Sequence, residues 1–195
     1  MKVMINGSES TIRGEHLPKF ADVVELIKAS IDPEHMITSI LVDGRDVEEA
    51  EWTANPARFG TAIVEIETGT PEHFVNDRLG RSASVVRSCY MEFRDARKAF
   101  QDGDTQRGNR GLIAAVDTAR AFFQWYASLM ELVGPERRAR YDITPQVEEI
   151  TGICKRICQQ QLYQSWWALS ETLEKELEPR FDKLEDFCRK FGAQV

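Results

Sequence analysis

The spacing of apolar residues along this chain changes period near residue 70. Before that point the pattern is short and mixed. Residues 2–6 and 10–13 are β-prone runs separated by Asn6-Gly7-Ser8-Glu9, and Asn-Gly is a strong hairpin signal because both residues tolerate the positive φ of a type I′ turn. Leu17-Pro18 then opens a helix in which Phe20, Val23, Val24, Ile27 and Ile31 recur at three- and four-residue steps. Asp32-Pro33 stops it, since the residue before proline is pushed out of the α region. Met36 to Val42 is rich in β-formers and ends at the turn Asp43-Gly44, after which Arg45-Asp46-Val47 begins a return strand. Residues 48–60 read as irregular or as a short helical turn, with Trp52 and Phe59 packing back onto the core. Thr61 to Glu67 reads as a half-buried strand, closed by Thr68-Gly69-Thr70-Pro71.

From Pro71 onward the period is helical. Val75, Leu79, Ser82, Val86, Cys89, Phe93, Ala96 and Phe100 step by four and three without a slip, which predicts one helix of roughly 30 residues, about 45 Å long. Asp102-Gly103-Asp104-Thr105 ends it. The next helix runs to about Val133 and carries two stripes. Leu112, Ala115, Ala119, Phe122, Tyr126, Leu129 and Val133 form the first; Ile113, Val116, Phe123 and Met130 form the second. Two stripes imply neighbours on more than one side, so this helix is expected at the centre. Gly134-Pro135 stops it, and a polar, basic connector follows over residues 136–143. Thr144-Pro145 restarts a helix whose apolar face continues through Ile150, Cys154, Ile157, Cys158, Leu162, Trp166, Leu169, Leu173 and Leu177. Pro179 is expected to kink or break it, and Phe181, Leu184, Phe187, Cys188 and Phe191 keep the spacing beyond.

The predicted fold class is therefore α+β: a module over residues 1–69, then an antiparallel long-helix bundle over 70–195, with three long helices and a shorter C-terminal segment. The order of elements in the first module resembles the ubiquitin-like β-grasp fold. The Asn6-Gly7 hairpin, the single helix from Pro18 to Ile31, the hairpin around Asp43-Gly44 and the strand from Ile63 to Glu67 carry that resemblance. Conjugated and sulfur-carrying members of that fold end in a free Gly-Gly tail, whereas here the strand runs on through Thr68-Gly69-Thr70, so neither activity is expected. The helical part resembles flagellin-type export-chaperone bundles, in its topology and in the Leu162 to Leu177 helix followed by Glu178-Pro179-Arg180-Phe181. That resemblance implies an apolar outer face that takes a partner's helix.

Charge sharpens the boundary. Residues 1–70 hold 6 Lys/Arg and 13 Asp/Glu, while residues 71–195 hold 19 of each, so the whole net charge of −7 lies in the first module. Neither part is basic, which argues against nucleic acid and anionic membrane as partners. An apolar content of 42% is ordinary for a folded protein, and no apolar run approaches the roughly 18 residues that span a bilayer. The first seven residues are too short an apolar stretch for a signal peptide, so the expected location is cytoplasmic.

The candidate chemistry is sparse. The sequence lacks a P-loop, Gly-x-Gly-x-x-Gly, Gly-x-Ser-x-Gly, His-Glu-x-x-His and Glu-x-x-His, and its histidines, His16, His35 and His73, all lie at or before residue 73. Cys89, Cys154, Cys158 and Cys188 fall on apolar helix faces and read as small buried side chains rather than metal ligands. No catalytic residue, metal or cofactor is expected. Gln106-Arg107-Gly108-Asn109-Arg110-Gly111 opens the second long helix, where Arg107 and Arg110 with backbone N–H groups are a candidate anion site; the alternative is a solvated helix start with flexible glycines. Trp166-Trp167 is weighed between a wide aromatic core that takes both rings and a split of one core ring and one rim ring. Phe123, Met130, Tyr163 and Trp167 look like apolar surplus, hence candidates for partner binding. The final segment is expected to fold back and cover that surplus in the free protein. The leading expectation is a non-enzymatic interaction or adaptor protein, chaperone-like, binding another protein through an amphipathic helix or pairing as a homodimer. The alternatives are a small-ligand or anion-binding regulatory protein and an enzyme whose site forms only on oligomerisation.

Overall fold

A computed structural model describes residues 1–14 and 16–192 of the chain. It is α+β, a small five-stranded mixed sheet followed by helices, and it divides into two compact units at Phe74/Val75.

In the first unit, β1 (Lys2–Ile5) and β2 (Ser8–Glu9) form a hairpin whose two turn residues, Asn6 and Gly7, have φ of 49° and 75°. The turn is tight, so β2 starts at Ser8; the run 10–13 expected as a strand is irregular. Helix α1 (Phe20–Lys28) starts two residues after Pro18, with the Asp22 carboxylate accepting from the Lys19 amide. Strands β3 (Met36–Val42) and β4 (Arg45–Asp46) meet at Asp43-Gly44, again with both φ positive. A short helix α2 (Glu49–Trp52) and a 3₁₀ turn Pro56–Phe59 follow, then β5 (Ile63–Gly69). The sheet order is β2-β1-β5-β3-β4, with β1 and β5 parallel and the other pairs antiparallel. Alternation in the strands sends Val3, Val42, Val64 and Ile66 to one face, where they bury against Phe20, Val23, Val24 and Ile27 of α1. The rings of Trp52 and Phe59 pack back onto this core, 5.8 and 5.0 Å from that of Phe20.

Helix α3 (Pro71–Gly80) leads into the second unit, and α4 (Ser82–Gln101) continues it after a break at Arg81. The single 30-residue helix expected from the heptads is thus two. The stripe itself survives: Val75, Leu79, Ser82, Val86, Cys89, Phe93, Ala96 and Phe100 are all buried. The Ser82 hydroxyl donates to the Leu79 carbonyl at the break, which satisfies a polar side chain placed on an apolar face. Helix α5 (Thr105–Glu131) follows a three-residue turn, then α6 (Pro135–Arg138), a 3₁₀ turn Ala139–Tyr141 and α7 (Thr144–Leu162).

The third helix does not run to Leu177. It stops at Tyr163, where Gln164 has a φ of 53°, and the amides of Gln164 and Ser165 donate to the carbonyls of Gln161 and Gln160. This is a Schellman ending with glutamine in the left-handed position that glycine usually takes. Helix α8 (Trp166–Thr172) then passes through a π-helical turn, Leu173–Leu177, into α9 (Glu178–Gly192). Pro179 therefore lies inside a helical run. The wider turn, closed by the Glu178 amide on the Leu173 carbonyl, takes up the missing donor and the ring ahead of the proline. The last segment is a long helical run from Trp166 to Gly192, not the short fourth piece expected.

Helix α4 is the hub. It packs on α5, α8, the π turn and α9, whereas α5 packs extensively on α4 alone and does not take the central place its two stripes suggested. Phe93 and Phe181 join α4 to α9 with ring centroids 5.2 Å apart, and Leu184 and Cys188 are fully buried below them. A buried ion pair also ties this layer: Arg97 on α4 donates to Glu178, with Gln101 and Glu174 beside it. No helix among the described residues is long and apolar enough to cross a membrane.

Candidate functional site

The two stripes of α5 have different fates. Leu112, Ala115, Ala119, Phe122, Tyr126 and Leu129 are buried. Ile113 is 58% exposed, and Val116, Phe123 and Met130 are half-buried. This second stripe forms one wall of a groove whose other wall is α7. The ends of the groove are pinned by two hydrogen bonds: Gln161 Nε2 of α7 donates to Asn109 Oδ1 of α5 at 2.7 Å, and Tyr126 OH of α5 donates to the Tyr141 carbonyl, just before α7, at 2.6 Å. The two helices therefore run past each other in opposite senses, held at both ends and open between.

The groove has a wide and a narrow part. The wide part, about 520 Å³, is lined by Phe123, Tyr126, Ala127 and Met130 of α5, by Tyr141 and Ile143 of the connector, and by Val147 and Glu148 of α7. The narrow part, about 210 Å³, has Phe93 at its floor, Ile113, Val116 and Arg120 on one side, and Cys154, Cys158 and Gln161 on the other. The lining is mostly apolar, with Arg120, Arg138, Asp142 and Glu148 at the rim. Burial pushes the Tyr126 phenol well above its ordinary range and the Cys154 thiol up to about 11, so both stay protonated at neutral pH. Arg138 donates to the Val133 carbonyl at 2.9 Å, and Asp142 accepts from the Thr144 amide to start α7. Polar groups here hold the backbone in place. The surface they leave is apolar and suited to burying a side chain or an apolar ligand.

The residue types predict a polar connector, yet Tyr141 and Ile143 are buried and line the wide end. Their alternation in Tyr141-x-Ile143 was the available signal, masked by Arg137, Arg138 and Arg140 just before it.

The four residues expected to bind a partner do not form one patch. Phe123 and Met130 lie at the wide end of the groove. Tyr163 and Trp167 lie at the α7–α8 corner, next to the opposite, Gln161–Asn109 end, and are 78% and 75% exposed. The Gln164 turn separates the two tryptophans: Trp166 stacks on Phe100 at 5.5 Å while Trp167 stands in solvent. The wide aromatic core that would have held both rings is not formed, and the split of one inner and one outer ring is what occurs. Leu162, also 78% exposed, joins Tyr163 and Trp167 at this corner.

The expected anion site at Arg107 and Arg110 meets a competitor. The Asp104 carboxylate accepts from the Arg107 amide at 2.9 Å, so the helix start is already capped by a negative group. The glycines of that segment serve packing: a Cβ on Gly108 would come within 2.7 Å of the Phe100 ring, and one on Gly111 within 3.3 Å of Ala96. Arg107 and Arg110 themselves are exposed.

The cysteines divide as well. Cys89 and Cys188 are buried and Cys154 is half-buried, but Cys158 is exposed on the groove rim, contrary to the expectation that all four are inside. Each lies on a helical segment, where a turn of rise separates Cys154 from Cys158. No group of three or more metal-ligating side chains converges among the described residues.

No protein-family model, curated protein or solved structure matches the chain.

Proposed function

We propose that this chain is a non-enzymatic protein-interaction protein of adaptor or chaperone-like type, acting in the cytoplasm, whose helical unit binds an amphipathic helix in the α5–α7 groove. The single observation that carries this reading is the second apolar stripe of α5, which α7 runs beside without covering: Ile113 is 58% exposed, and Val116, Phe123 and Met130 are half-buried. Such a stripe, with anchors at three- and four-residue steps, matches the way amphipathic helices are held in grooves. The sheet order β2-β1-β5-β3-β4, with a parallel central pair and one helix on one face, supports a ubiquitin-like β-grasp module for the first unit. The opposed passage of α5 and α7 supports an antiparallel bundle for the second.

Selection from a helical peptide library on the intact protein tests the reading. Peptides with apolar residues at i, i+3, i+4 and i+7 should be enriched, and Met130→Asp should abolish their binding while leaving the far-UV spectrum unchanged. Enrichment of peptides without that pattern, or binding unaffected by Met130→Asp, would count against it. A second reading has one observation in its favour: the wide end, at about 520 Å³, is within the range of small-molecule sites, about 300–1,000 Å³. A compact apolar ligand there would displace a selected peptide competitively.

A further inference from the structure

The groove wall has a symmetry that bears on its occupant. Along α5 the groove is met by Ile113, Val116, Arg120, Phe123, Ala127 and Met130. The midpoint between Arg120 and Phe123 is also the midpoint between Val116 and Ala127, and between Ile113 and Met130. Reversing the helix about that point therefore lays the stripe on itself. We propose that the occupant of the groove is α5 of a second copy of this chain, paired with α5 in the opposite direction about a two-fold axis at that midpoint. This rests on reading the groove as a helix-binding surface and names its partner.

In that pairing Ile113 faces the partner's Met130, Val116 faces the partner's Ala127, and Arg120 faces the partner's Phe123. The apolar contacts extend over about 26 Å of helix at 1.5 Å per residue. Arg120 is the one charged member of the stripe. The Asp117 carboxylate lies 3.3 Å from its guanidinium, and an aromatic ring is the apolar surface that best accepts a guanidinium plane. An isologous interface of this kind uses the same patch twice and closes on itself.

The flanking charges select the direction. One edge of the stripe carries Arg110, Asp117, Gln124 and Glu131 at seven-residue steps, all exposed. Reversed, this column brings Arg110 within one turn of the partner's Glu131 and Asp117 within one turn of the partner's Gln124, then repeats both contacts by symmetry. A parallel pairing would carry the column to opposite sides of the pair, so that Arg110 and the partner's Glu131 would not meet. The column is thus complementary to itself in one direction only.

Sedimentation of the full chain over a micromolar concentration range tests the proposal. The wild type should form a dimer. Ile113→Asp, at a position already 58% exposed and so harmless to folding, should raise the dissociation constant at least about tenfold. Glu131→Arg should weaken the dimer roughly tenfold, and Arg110→Glu added to it should restore wild-type affinity, because the swapped pair is again opposite in sign. A wild type that stays monomeric overturns the proposal, as does a dimer indifferent to Ile113→Asp or a double variant no tighter than Glu131→Arg. A monomer that still binds selected helical peptides in the groove leaves the helix-binding reading intact and removes only the second copy. A monomer that binds none removes both.

Discussion

Phe122 and Phe123 are neighbours on one helix and belong to two different surfaces. Phe122 sits in the stripe that α5 presses onto α4, and Phe123 sits in the stripe that lines the groove. A helix turns about 100° per residue, so adjacent positions serve different faces. The difference teaches where apolar pattern stops being evidence of a core. A helix with one stripe can be satisfied by one neighbour. A helix with two stripes and one extensive neighbour retains apolar surface that folding alone does not consume.

The sharpest way to break this comparison is to truncate both rings. Phe122→Ala removes a ring that is 3% exposed and touches Phe123, Trp125 and Tyr126. It should cost about 3–5 kcal/mol of unfolding free energy, the usual loss for a buried phenylalanine. Phe123→Ala should cost less, about 1–3 kcal/mol, since its ring is only partly buried at the groove wall, while weakening any groove ligand. Denaturant titration of the two variants measures the gap. Equal costs would mean that Phe123 is a core residue and that the groove is only a packing defect.

The cysteines offer a second contrast, with a smaller effect. Burial pushes the thiols of Cys89 and Cys188 up to about 11, and both must be exposed by local opening before they react. Cys158 is exposed at the rim. Alkylation at pH 8 followed by peptide mass spectrometry should find Cys158 modified at least ~100-fold faster than Cys89 or Cys188. For these two, reaction should accelerate as pH rises toward about 11, because the thiolate is the reactive form. If Cys158 is as slow as Cys89, its side of the groove is covered in solution, and a dimer or a bound ligand is the first cause to look for.

The parts of the fold legible in the sequence were those fixed by local chemistry or by unbroken period. Both Asn6-Gly7 and Asp43-Gly44 form the turns their residues favour, with all four φ positive. The α3–α4 stripe is buried at every position the heptads mark. What failed was reading neighbours from stripes. Stripe width says how much apolar surface a helix has, and only the tertiary arrangement says whether another helix covers it; α5 is the wider helix and α4 the more enclosed. Of the candidate partner residues, Phe123 and Met130 lie apart from Tyr163 and Trp167 because the third stripe is interrupted at Gln164. Pro179 drew attention as the breaker and is absorbed by a π turn, while the actual break carries no glycine or proline. Helix-ending rules weigh residue types, and glutamine gives them nothing to weigh.

That break supplies the smallest and most specific prediction. Gln164 is held at φ 53° by two backbone hydrogen bonds, from its own amide to Gln161 and from the Ser165 amide to Gln160. A residue with a Cβ is disfavoured there by roughly 1 kcal/mol, and glycine is not. Gln164→Gly should therefore stabilise the protein by up to about 0.6 kcal/mol, after allowance for the extra freedom of glycine in the unfolded chain. For a chain of this length that corresponds to a rise in Tm of no more than about 2 °C. Gln164→Val should move the other way, because a β-branched side chain is poorly tolerated at positive φ. The pair of variants isolates the backbone term, since the position is exposed and neither substitution fills or empties a core site. A fall in Tm for Gln164→Gly would show that the glutamine side chain contributes more than its backbone strain removes. The Leu162–Tyr163–Trp167 corner would then be held by side-chain contacts, and the split between Trp166 and Trp167 would no longer follow from the turn.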